Sequence, residues 1–349
     1  MDSPKVSVII PVYNIASYLP QCLDSLKAQT LAEIEVLCID DTSADGSAQI
    51  VLQYAQQDPR FRLIQQEHLG VSAARNLGIA QSCGQYIAFI DGDDWAEPDM
   101  LELLYNQAEQ TASDVVICSS TVHFAHQDLR SLRRNRSLQA ALTVSAQTWT
   151  ANNASDLWAL MDTPGVWPFI WNKLIRSDLI KENKVAFPYG LPLGEDGVFL
   201  HCLFQYAQKV TFLPKALHHY RYLRKTSATN RLAQDRLLRF SHHITVTASM
   251  LEEFSARGIL AQNKAALLRW FLRFLYADMI SLPAEHRQPT ALTLQQLFAK
   301  FHLTDAVPAL DLIRRRRLRI LTSNKPCTNL RRTFDIYWTK VENRLLRFF

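Results

Sequence analysis

Short apolar runs alternate with stretches of helical periodicity along the first 120 residues. Val6-Ser7-Val8-Ile9-Ile10-Pro11-Val12 is an almost unbroken apolar run, the pattern of a strand buried on both faces of a parallel sheet. The segment from Ala16 to Lys27 places Leu19, Cys22, Leu23 and Leu26 on one face and predicts a helix. Glu35 to Ile39 reads as a second strand and runs into Asp40-Asp41. Asp45-Gly46-Ser47 opens a second helix with Ile50, Val51 and Tyr54 facing inward. Arg62 to Ile64 is a third strand, Ser72 to Gln81 a helix, and Tyr86 to Ile90 a fourth strand. Pro98 suits a helix start, with Met100 to Thr111 following, and Asp114 to Cys118 is a fifth strand. This alternation predicts an open α/β sheet whose ligands bind at the carboxyl ends of the strands.

Beyond that point the pattern changes. Residues 123–150 are polar and irregular, with Arg130, Arg133, Arg134 and Arg136, and read as a surface loop or lid. Residues 151–225 are rich in aromatics. From about Leu232 the periodicity is helical: Leu237/Phe240/Ile244, Leu267/Phe271/Leu275, then Ile336, Val341, Leu345 and Leu346. The expected division is 1–225, with a donor half of about 1–120 and an acceptor half of about 121–225, and a helical basic region over 226–349.

Charge follows the same division. Residues 1–220 carry 15 Lys and Arg against 24 Asp and Glu, a balance of −9, while residues 221–349 carry 23 against 9, a balance of +14. Two modules with different partners are implied. The six cysteines show no CxxC pair and no Cys/His ligand spacing, and most sit in apolar stretches and read as small core residues of a reduced compartment. No apolar run approaches the roughly 18 residues of a membrane span, because Arg273 and Asp278 break the best candidate, Trp270 to Leu282. No cleaved signal is expected at the N-terminus. The expected location is cytoplasmic, with peripheral attachment to the inner face of the membrane.

The candidate chemistry lies in the acids. Asp91-Gly92-Asp93-Asp94 directly follows the fourth strand, and crowded carboxylates call for a cation. Hard divalent ions, Mg²⁺ or Mn²⁺, take carboxylate oxygens and hold phosphates in their remaining positions. Asp40-Asp41 ends a neighbouring strand. Either pair alone is open to a capping role, as is Asp45 at a helix start, but two such pairs at adjacent strand ends meet in one crevice.

Four ordered blocks resemble one family: Val6 to Asn14, Ile39 to Ser47, Gly70 to Gly78, and Asp91 to Asp94. They are similar to family 2 glycosyltransferases of the GT-A fold, and the resemblance covers about residues 4–225. It implies inverting transfer from a nucleotide-sugar, usually a UDP-sugar, with Mn²⁺ or Mg²⁺. By position, Pro11 and Tyr13 match the base pocket, and Asp40 and Asp41 the carboxylates that meet uracil and ribose. Arg75 matches a basic residue beside the nucleotide. Asp94 matches the principal metal ligand, Asp93 its ribose or second metal partner, and Asp91 the leading acid. Thr42 stands where the family usually has Gly, which implies a differently shaped loop.

Gly194-Glu195-Asp196-Gly197 resembles the family's acceptor-activating motif, with Asp196 as base and Glu195 in support. A capped helix start is the alternative for these acids. Trp171-Asn172-Lys173-Leu174 matches a further block. Trp171 is a candidate for stacking on a sugar, with core packing as the alternative, and Lys173 for meeting a phosphate or the acceptor. In His218-His219-Tyr220-Arg221 the candidates for metal or phosphate are His219 and Arg221.

Arg314-Arg315-Arg316-Arg317-Leu318-Arg319, with Phe334, Tyr337, Trp338, Phe348 and Phe349 further on, suits an anionic membrane surface or a solvated helical face. The expected acceptor is a glycan or lipid-linked glycan. Competing readings are a sugar nucleotidyltransferase and a non-catalytic nucleic-acid-binding protein. The first lacks its phosphate loop after the first strand. The second lacks a recognition motif and has an acidic N-terminal part, so no nucleic-acid partner is expected.

Overall fold

The computed structural model describes residues 3–124, 139–140, 142–151, 154–161, 163–166, 169–222 and 235–322. The chain divides into two compact units, Met1–Leu223 and Arg224–Phe349.

The first unit starts with β1 (Val6–Val12), α1 (Leu19–Lys27), β2 (Ile34–Asp40), α2 (Ser47–Gln57), β3 (Phe61–Gln65) and α3 (Val71–Gln81). It continues with β4 (Tyr86–Phe89), β5 (Trp95–Ala96), α4 (Met100–Thr111), β6 (Val115–Phe124), β7 (Gln147–Thr150) and α5 (Ala154–Met161). It closes with β8 (Lys173–Arg176), α6 (Ser177–Glu182), α7 (Glu195–Leu203) and β9 (Lys209–Tyr222). The sheet runs β3-β2-β1-β4-β8-β6-β9-β5, and β7 adds to β9. Its first four strands are parallel, while β8 is antiparallel to both β4 and β6. Consecutive residues, Val8, Ile9 and Ile10 in β1, Val36, Leu37 and Cys38 in β2, and Ile87, Ala88 and Phe89 in β4, are fully buried, so both faces are covered and these strands lack polar alternation. The parallel register pairs Val12 with Asp40. The acids that follow β2 and β4 therefore emerge at one edge.

Three elements depart from the sequence reading. β6 extends to Phe124, because Ser120 to Phe124 pair with β9. β7 lies inside the stretch read as irregular. It is a four-residue edge strand, three of whose residues are exposed, so its pattern carries little signal. Residues 125–138 lie outside the described residues. β8, four residues inserted between β4 and β6, is too short for a periodic signature.

The second unit holds α8 (Arg236–Ala256), α9 (Leu260–Ser281), α10 (Ala284–Lys300), a 3₁₀ turn (Leu303–Ala309) and α11 (Leu312–Leu321). Asp235 caps α8, its side chain accepting from the amides of Leu237 and Leu238. Phe240, Leu267, Phe271 and Leu275 are core, whereas Leu237 is exposed. Asp278 of α9 accepts from Arg239 at 3.0 Å and bonds His243, both on α8. The arginine run is partly spent within the unit. Arg314 pairs with Asp311, Arg315 donates to the carbonyls of Leu310 and Pro308, and Arg317 is buried over the Tyr276 ring. The aromatic stretch expected after residue 330 lies outside the described residues. Among those described, no helix is long and apolar enough to cross a membrane.

Candidate active site

The acidic cluster sits on the turn after β4. Gly92 leaves room there for Ile15, whose Cδ1 would lie 2.3 Å from a Cβ at this position. One ligand atom from each of Asp91, Asp93 and Asp94 falls within 4.8 Å of the others. Asp94 is 1% exposed. Its Oδ1 accepts from the Arg221 amide at 2.8 Å, and its Oδ2 has no hydrogen-bond partner. Burial, then the charges of Asp93 and Asp91, push its carboxyl well up. A buried, unpartnered carboxylate oxygen beside two more carboxylates fits a divalent cation.

The structure adds a residue that the sequence reading passed over. His218 Nε2 lies 3.6 Å from Asp94 Oδ2, and neither ring nitrogen of this fully buried histidine has a hydrogen-bond partner. Burial pushes its pKa well down, so the ring is neutral and able to ligate. His219, the histidine singled out by sequence, turns the other way. It bonds Glu97 at 2.7 Å and His123 at 2.9 Å and stacks on Trp95. Successive residues of a strand face opposite sides, and the HH pair alone does not say which one meets the acids. Arg221 does reach the cluster: its Nε donates to the Asp93 carbonyl at 3.0 Å, and its guanidinium lies over Trp95.

At the end of β2 the two aspartates divide. Asp41 is saturated by its own fold, accepting from Gln66 Nε2 and from the amides of Leu69 and Gly70, and pairing with His68 Nδ1 at 2.8 Å. It shapes the 66–70 loop and has little capacity left for a nucleoside. Asp40 Oδ1 is buried without a partner, so the free acceptor belongs to Asp40. Tyr13 is half exposed and stacks on His68 at 4.5 Å, while Pro11 is half-buried at the end of β1. Thr42 adopts φ +64°, the left-handed conformation that Gly takes readily. Its hydroxyl donates to the Gln66 carbonyl at 2.8 Å, which holds the loop in the Gly-like shape.

The guanidinium of Arg75 is engaged by the protein's own acids. It is buried on α3 and bridges three acids: Nη2 to Asp91 at 2.8 Å, and Nη1 to Glu195 at 2.7 Å and Asp196 at 2.8 Å. It thereby ties the acidic turn to the second acidic motif. That motif opens α7, where Gly194 at φ +82° supplies the left-handed cap and both acids lie in the first turn. Burial pushes the Asp196 carboxyl up to about 8. Arg75 opposes the shift, and Glu195 and Asp91 add to it. Asp196 Oδ2 also accepts from the Ile170 amide at 3.2 Å. Such a carboxylate keeps a lone pair on each oxygen and suits proton abstraction near neutral pH.

The Trp171 block corrects two expectations. Trp171 is 1% exposed, stacked on Phe169, His218 and Tyr220, so it packs behind the site and offers no face to a sugar. Lys173 is fully buried and donates to the carbonyls of Gly165 and Phe169 and to Asn172 Oδ1, so it does not reach a phosphate or an acceptor.

Comparison with known proteins gives the family. A model described as glycosyl transferase family 2 matches residues 7–176. A Bacillus subtilis (strain 168) protein named as a glycosyltransferase, EpsH, is 35% identical over 223 residues, which are 63% of this chain and 62% of EpsH. The match thus spans under two thirds of that relative's length. A cholesterol galactosyltransferase of Borreliella burgdorferi is 30% identical over 279 residues, covering 78% of this chain and 74% of its own. S. aureus TarS 1-349, solved with UDP-GlcNAc, shares the fold with a TM-score of 0.68 at 19% identity, over 97% of this chain and 92% of that one. The family match over residues 7–176, with 30% identity sustained over 74% of a whole relative, means that the chain belongs to glycosyl transferase family 2.

Proposed function

We propose that the chain is an inverting, metal-dependent glycosyltransferase. It moves a hexosyl or N-acetylhexosaminyl group from a nucleotide-sugar, by preference a UDP-sugar, to a glycan or lipid-linked acceptor of a surface polysaccharide or lipooligosaccharide. The observation that carries this reading is the buried Arg75 bridge, which sets a metal-type acidic cluster and a base-type carboxylate on one guanidinium. The acceptor hydroxyl attacks the anomeric carbon, its proton passes to Asp196, and the carbon–oxygen bond to the diphosphate breaks with the electron pair leaving on that oxygen. Asp94, Asp93 and His218 would hold Mn²⁺ or Mg²⁺, and the ion would supply charge stabilisation to the departing diphosphate. The solved UDP-GlcNAc complex of a fold neighbour supports the choice of a UDP donor.

Incubation with UDP-glucose, UDP-galactose and UDP-GlcNAc plus Mn²⁺ should release UDP from at least one of them. Asp94→Asn and Asp196→Asn should each lower that rate by about 100-fold or more. Full turnover in either variant removes that residue from the role given to it.

A further inference from the structure

Lys173 is a buried cation that the transfer chemistry above does not use. Three protons on Nζ meet three acceptors, the carbonyls of Gly165 and Phe169 and Asn172 Oδ1, the count that an ammonium group requires. Among the described residues no carboxylate forms an ion pair with it. An unpaired buried charge is costly, and a methionine of similar length would fill the same space without that cost.

One of its acceptors explains its presence. The Phe169 carbonyl belongs to the same peptide group as the Ile170 amide, and that amide donates to Asp196 Oδ2 at 3.2 Å. The atoms form a continuous line: ammonium, carbonyl, amide, carboxylate. A cation at the carbonyl end polarises the peptide and strengthens donation from its N–H, because hydrogen bonds in series reinforce one another in a low-dielectric interior. Asn172 fixes the same segment, its Nδ2 donating to Gly165 O at 3.1 Å and Cys118 O at 2.9 Å.

We infer that Lys173 is a positioning residue for the base, holding and polarising the Phe169–Ile170 peptide so that its amide sets the place and the proton affinity of Asp196. The inference rests on the reading of Asp196 as the base. The groups that face Asp196 are Arg75 from α3, its neighbour Glu195, Asp91 from the turn after β4, and Lys173 from β8. Lys173 itself is pushed down to about 7 by burial, with Asp196 and Cys118 acting in the other direction.

The test uses the full chain in two readouts. In ¹H–¹⁵N spectra across pH 5–9, the Ile170 amide should titrate with Asp196 near pH 8 and with Lys173 near pH 7, and Asp196→Asn should remove the first of these steps. Lys173→Met should move the Asp196 midpoint up by about half a pH unit or more, and Lys173→Gln by less, since it keeps a donor but not the charge. UDP release at pH 7 should fall about threefold or more in Lys173→Met, while calorimetric affinity for UDP with Mn²⁺ is unchanged. An unchanged Ile170 midpoint in both lysine variants overturns the inference, as does a loss of UDP release matched by an equal loss of UDP affinity. Should Lys173→Met fail to fold, Lys173→Gln decides alone. If Asp196→Asn keeps its UDP release, the base reading fails separately, and the Ile170 midpoint still reports whether Lys173 acts on Asp196.

Discussion

A single carboxyl sets the pH behaviour expected of the transfer. Burial raises Asp196 to about 8, well above an ordinary aspartate, and the base acts only when unprotonated. The acid limb therefore lies at and below about pH 8. There kcat/KM for UDP release should fall about tenfold per pH unit as pH drops, and it should level off above the midpoint. In Asp196→Asn the residual rate should lack this limb. Folding responds with the opposite sign. A carboxyl whose folded pKa is raised is cheapest to bury when protonated, so stability is lost as pH climbs from about 4 towards about 8. Asp196→Asn should accordingly gain in Tm over the wild type as pH rises through that window. A Tm difference that does not vary with pH, together with an unchanged acid limb in the variant, would falsify this assignment.

At the scale of elements, strand alternation decides which histidine meets the acids. β9 turns His218 to Asp94 and His219 to Glu97. His218→Ala should weaken Mn²⁺ activation of UDP release by about 10- to 100-fold, whereas His219→Ala should change it by less than about threefold. An equal response from both variants would remove His218 from the metal site. The sequence carried the acids but not this choice. β1, β2 and β4 announce themselves as apolar runs because both of their faces are buried, and the acids that follow them are legible for the same reason. β9 pairs with β6, whose register shifts beside Ser119, and with β5 at the histidines themselves, and no local pattern encodes which side chain then faces the cluster. The difference between the bonded Asp41 and the open Asp40 oxygen was hidden likewise. It depends on donors from Gln66 to Gly70, which meet Asp41 only once the loop has closed. Trp171 and Lys173 sit in a recognisable block, yet a block shows neither burial nor direction.

For the whole molecule, charge separates the two units. The acidic balance of residues 1–220 and the basic balance of residues 221–349 make the two ends respond differently to an anionic lipid surface. Ion pairs already engage Arg239, Arg257, Lys264, Lys300 and Arg314 within the second unit. The net excess is nevertheless carried by arginines such as Arg319, whose acidic neighbours are too few to balance it. Each basic residue near an anionic membrane contributes about 1 kcal/mol, so an excess of even four would favour association by about 4 kcal/mol. The attraction decays within a Debye length, roughly 8 Å at physiological ionic strength. Flotation with phosphatidylglycerol vesicles should therefore recover the protein at about 50 mM salt and release most of it at about 500 mM. Neutral phosphatidylcholine vesicles should not recover it at either salt. Reversing charge with Arg316→Glu and Arg319→Glu together should lower recovery at low salt. Equal recovery on neutral and anionic vesicles would instead mean that apolar contact drives association. The exposed Leu312 and Ile313 at the start of α11 are the described residues positioned to make it.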